Sequence, residues 1–177
     1  MIMGRDLYNL NRSSRHNVMD HSHHNYVKKI LIIVFTVLSV VVACEPGCPS
    51  ESEKRYFADV TGASDKIGAA ILELANQWER VVTNPMVLYD GSLIGPFTTL
   101  KVQTILIRTF YAPESVLYIH KDILALAEAI DDMVRFQELA IYNFDADALA
   151  AAEAPIKRGT ELTESVAHKI RDHCSRQ

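Results

Sequence analysis

Glu164, His168 and Asp172 stand at i, i+4 and i+8. On a helix they would form one ridge, with Glu161 a turn earlier. Such a ridge can hold a metal when it faces a second carboxylate-bearing helix. At 100° per residue, however, Glu164 and His168 point about 160° away from Val166, the expected buried side. That places them in solvent, where i, i+4 charge pairing accounts for them. Asp131 and Asp132 are adjacent and would diverge on a helix, so they are ill placed to share one proton or one metal. His120 is a lone histidine beside Ile119, read as a polar group at the core edge.

His16, His21, His23 and His24 form a histidine-rich tract, a composition that can bind metals. They come with no thiol and no fixed spacing, and read as a solvated, charged leader. The chain has no G-x-S-x-G, Walker loop, H-E-x-x-H, C-x-x-C-H or paired Glu-x-x-His. No catalytic constellation, metal site or cofactor is expected.

The elements that must position these residues are helical. Phe57, Val60, Ser64, Ile67, Ile71, Leu74, Trp78 and Val81 alternate by three and four, the pattern of one buried stripe. Asn84-Pro85 ends it, because the residue before proline is pushed out of helical geometry. Pro113 opens a second strong stripe, as a first-turn residue with Glu114 near the positive helix end. This stripe runs through Val116, Ile119, Ile123, Leu126, Ile130, Met133, Gln137, Ala140 and Phe144. Asp145 has the side chain of an N-cap for residues 146–154. A last stripe reads Leu149, Ala152, Ile156, Gly159, Thr163, Val166, Ile170 and His173, and Pro155 should kink or split it.

Residues 98–111 are ambiguous. Val102, Ile105, Leu106, Thr109 and Phe110 fit one helical face, yet the β-branched content also suits a strand. Helix is preferred because the neighbours are helices and a bundle needs the partner. The expected fold is therefore all-α, an antiparallel bundle of about four helices over 53–177. Its central core choices are Ile71, Leu74, Ile123, Leu126 and Ile130.

The connection from Asn84 to Thr98 is long for a bundle and oddly apolar. Asp90-Gly91, between Val-Leu-Tyr and Ser-Leu-Ile, carries the signal of a small β-hairpin, with Gly95-Pro96 ending it. Its apolar residues either fold back as a cap or stay exposed to dock a partner, with Leu88, Tyr89, Leu93 and Ile94 as the docking candidates.

The amino-terminal part has a separate organisation. Residues 1–29 are basic, and translation from Met19 would give a conventional shorter n-region. Lys28-Lys29 precede an apolar segment, 30–44, which ends at Cys44. As a helix this segment spans roughly 22 Å, short of the ~30 Å hydrocarbon core of a bilayer. A secretory h-region has about this length. Val41-Val42-Ala43-Cys44 resembles the lipobox of a bacterial lipoprotein signal. The resemblance covers the leader alone and implies lipidation at Cys44. The alternative is an uncleaved single-pass anchor. Basic residues before the segment place its carboxy side outside the cytoplasm under either reading.

Residues 45–52 form a Pro/Gly/Ser spacer. From Glu45 onward there are 13 Lys and Arg against 20 Asp and Glu, a net of −7. That balance speaks against nucleic acid, which calls for basic patches. With Cys44 lipidated, Cys48 and Cys174 are the two thiols left, a candidate disulfide in an oxidising compartment. An even number of antiparallel helices would bring them to one end. The expectation is an exported, membrane-tethered helical-bundle lipoprotein with a non-catalytic binding or assembly role in the cell envelope and a protein partner. The alternative keeps the anchor and assigns the regular first and third stripes to oligomerisation.

Overall fold

A computed structural model describes Ser50–Asn143 and Asp145–Ser175. The leader, with Cys44 and Cys48, and also Phe144 lie outside the described residues. The chain forms α1 (Glu51–Thr83), α2 (Ile94–Thr109), α3 (Leu117–Asn143), a short α4 (Ala146–Ala151) and α5 (Glu153–Ser175). Short 3-10 turns, Pro85–Tyr89 and Glu114–Val116, precede α2 and α3. There is no strand among the described residues. The fold is an all-α helical bundle.

Its topology is up-down-up-down, fixed by pairs far apart in sequence. Lys101 and Arg108 of α2 reach Glu138 and Asp131 of α3, so these two helices are antiparallel. Asp122 and Glu128 of α3 pair with Lys169 and Arg158 of α5, again antiparallel. Between α1 and α3 the ties are parallel: Tyr56 with His120 near the start, and Trp78 with Gln137 near the end. Each α1 residue of the expected stripe is buried except Ser64, which is half-buried. Among the chosen core residues Ile71, Leu74, Ile123 and Ile130 are buried, while Leu126 is partly buried against the same cluster. These stripes pack on one another, which supplies more helix stability than intrinsic propensity does.

Helix ends follow local chemistry. Ser50 caps α1 in a reciprocal box with Glu53: the Ser50 side chain accepts the Glu53 backbone N–H, and Glu53 accepts the Ser50 N–H. The first helix therefore begins inside the 45–52 spacer. Asp145 accepts the backbone N–H groups of Asp147 and Ala148, the cap expected of it. The expected split near Pro155 occurs at Ala152, which leaves Pro155 in the first turn of α5. A missing N–H costs nothing there, since the first-turn donors have no intrahelical partner. Pro113 sits outside its helix in extended backbone, ahead of the 3-10 turn.

Two further sequence expectations need correction. Residues 85–93 form a 3-10 turn and a bend rather than a β-hairpin. A type I′ turn needs positive φ at both central residues, but Asp90 has φ −82 and only Gly91 is positive, at +83. The Asp90 carboxylate instead accepts the Ser92 N–H at 2.8 Å, closing a tight side-chain turn. Pro96 does not end this region; it lies in the first turn of α2.

The second correction concerns α2. It is a helix, but the face formed by Val102, Ile105, Leu106 and Thr109 is the outer one. Pro96, Phe97, Leu100, Gln103, Thr104 and Ile107 face inward.

Candidate functional site

The bundle has two contrasting ends. At the end remote from Ser50, the close of α1, the 3-10 turn, the start of α2 and the close of α3 converge. The turn, α2 and α3 enclose a groove of about 340 Å³ lined by Leu88, Tyr89, Leu93, Ile94, Phe97 and Tyr142, among others. The turn is held to α1 by Asn84, whose side chain accepts the Met86 N–H, and by the Arg80–Asp90 contact at 3.8 Å. On one side of the groove, Lys101 donates to both carboxylate oxygens of Glu138 at 2.6 and 2.7 Å. The groove is thus apolar over most of its wall, with one ion pair at its side.

The four docking candidates divide. Leu93 is 4% exposed and belongs to the core, and Leu88 is partly buried against it. Tyr89 and Ile94 are 52% and 63% exposed. The connection is thus a cap on its inner side, with Val87 and Leu93, and an open apolar surface on its outer side. Tyr142 and Phe97 complete the groove from α3 and α2. Phe97 is one of the apolar residues of the 84–98 connection, though not one of the docking candidates, whereas Tyr142 carries no sequence signal, since nothing links residue 89 to residue 142.

At the opposite end a buried carboxylate ties three helix termini. Glu53 is 3% exposed. It accepts the Ser115 hydroxyl, and the His173 ring lies 3.4 Å away. The Ser115 hydrogen bond does most to hold the Glu53 carboxyl below its ordinary range; burial opposes this, and bonds from Ser50 and the proximity of His173 add to it. The order is serine to glutamate to histidine, so the hydroxyl is engaged by the carboxylate and not by the imidazole. That geometry ties helix ends and does not match a Ser–His–acid nucleophile. Ser50-x-x-Glu53 is a capping-box signature that marks Glu53 as a helix-start residue. Of its two long-range partners, His173 lies on the expected buried stripe of the last helix, whereas Ser115 carries no sequence signal.

The remaining chemical candidates have identifiable neighbours. Glu164 and His168 are exposed, and His168 lies 3.1 Å from Asp172, one turn on along the helix. Asp131 accepts from Thr104 and Arg108, while Asp132 pairs with Arg135, so the two carboxylates diverge. His120 is half-buried and shares a 2.9 Å hydrogen bond with Tyr56. Burial lowers the basicity of His120 and pushes the Tyr56 phenol up, which favours a neutral pair. Among the described residues no group of three or more His, Cys, Asp or Glu is placed to hold a metal.

Cys174 lies near the end of α5, partly buried against the core. The His173–Glu53 contact puts that terminus beside the start of α1. Cys48 falls outside the described residues, as does the Cys44 segment. No helix among the described residues is long and apolar enough to cross a membrane. Comparison with known protein families, curated proteins and solved structures finds no match.

Proposed function

We propose that the chain is an exported, membrane-tethered bundle that presents its remote end for protein binding or assembly in the cell envelope, without catalysis of its own. The observation that carries this reading is the polarity of the molecule. The apolar segment ending at Cys44 joins the bundle at Ser50, while the open groove lies at the other end of α1. That helix has 33 residues, roughly 50 Å along its axis. Five residues, 45–49, separate Cys44 from Ser50. A tether so short holds one end near a membrane and the groove well clear of it. A lipid on Cys44 is the favoured tether, and an uncleaved 30–44 anchor is the alternative.

Labelling with a clickable fatty acid, compared between the native chain and Cys44→Ala, tests the tether. Incorporation that disappears in the variant supports a lipoprotein. An unprocessed, unlabelled but membrane-bound product supports the anchor, and recovery of the native chain in the soluble fraction refutes both.

A further inference from the structure

The face of α2 turned away from the bundle has an unusual composition. Val102 is 51% exposed and Ile105 60%, and Ile94 and Leu106 flank them in the open. Only Lys101 and Arg108 are charged in this 16-residue helix, and both lean toward α3 to pair with Glu138 and Asp131. Beside these two half-exposed ion pairs runs a strip of Ile94, Thr98, Val102, Ile105 and Thr109 without charge, whereas a solvated helix face is ordinarily rich in charge. Thr98, Val102, Ile105 and Thr109 follow one another at intervals of four, three and four, the spacing of a coiled-coil seam. Thr109 returns its hydroxyl to the Leu106 carbonyl at 2.7 Å, leaving its methyl group for packing.

We propose that this face is a self-association surface, on which α2 of one copy packs in parallel against α2 of a second copy.

Two observations favour a second copy over a lipid surface, and a third places the pairing on α2. The flanking cations are already neutralised within each chain, so two identical faces meet without like-charge opposition. A lipid surface would call for unpaired basic residues beside the apolar stripe, but the two basic residues here are paired and the exported part carries −7. The regular stripes of α1 and α3 are buried in the chain's own core, so they are not available for pairing. The open seam is on α2.

Orientation and strength rest on the tethered reading given above. Copies held to one membrane by the same end must run parallel. One helix pair is small beside the ~800 Å² per partner of a stable interface. Confinement by the tether compensates, since copies held in one plane and one orientation meet at a raised effective concentration.

The test uses two differently tagged full-length copies, each with a photo-crosslinking residue at position 105, co-expressed and irradiated in the membrane fraction. The expected product has twice the chain mass and carries both tags, and it is absent when the crosslinker stands at Glu161 on α5. Val102→Lys with Leu106→Lys should reduce crosslinking at least about 100-fold through like-charge repulsion, with helicity and membrane recovery unchanged. Adducts to lipid, to residues 1–49 of the same chain or to a different protein overturn the proposal, as does undiminished crosslinking in the double variant. Should the chain appear in the soluble fraction, the tether fails separately. Sedimentation of the concentrated full-length protein then decides pairing, and a monomer refutes it.

Discussion

Replacing Glu53 by Gln keeps the size of the side chain and removes its charge. In the native protein this buried carboxylate accepts the Ser115 hydroxyl and the Ser50 N–H, with His173 at 3.4 Å. A hydrogen bond to a charged group contributes about 1.5–3 kcal/mol, and desolvation of the carboxylate offsets part of this. A net loss of about 2 kcal/mol is expected, or roughly 6–10 °C in Tm for a domain of this size. The folded-state pKa of Glu53 is lowered from 4.5. Its contribution is therefore present above the unfolded value and lost as pH falls through the folded one. Thermal unfolding followed by circular dichroism from pH 7 down to pH 3 reads both effects. The two proteins should differ most at neutral pH and converge in acid. A difference that stays constant across that range would refute the electrostatic account and leave only a packing change.

Leu74→Ala should cost about 2–5 kcal/mol, read by denaturant unfolding, because the side chain is fully buried among α-helical stripes. In the connection, Leu93→Ser should destabilise by several kcal/mol, whereas Ile94→Ser should stay within about 0.5 kcal/mol; equal effects on melting would contradict the division into cap and open surface. Gly91→Ala should cost about 1 kcal/mol from its positive φ alone, since the added Cβ would meet only Ile94 Cδ1 at 3.8 Å. A neutral or stabilising Gly91→Ala in the same unfolding assay would show that this turn relaxes.

Much of the candidate site was hidden for a physical reason. The apolar character of the 84–98 connection is local and legible, and so is the Asp90-Gly91 turn. Which of Leu88, Tyr89, Leu93 and Ile94 faces inward depends on where α1 and α3 end, and that is set by contacts across about 50 residues. The hairpin reading failed because Asp-Gly chemistry serves several turns, and Asn84-Pro85 had already started a 3-10 turn that consumed the first strand.

By itself the sequence determined the helical class, the buried stripes of α1, α3 and α5, the Asp145 cap and the break near Pro155. Each of these is decided within a few residues, by side-chain periodicity, by a carboxylate near backbone donors or by the proline ring. Tertiary structure alone decided the face of α2. That helix is apolar on both sides, so periodicity cannot choose between them, and the inward side is the one whose Leu100, Thr104 and Ile107 fit against α1 and α3. It likewise decided that Glu53 is buried, because Ser115 and His173 arrive there only when α3 and α5 pack beside the start of α1.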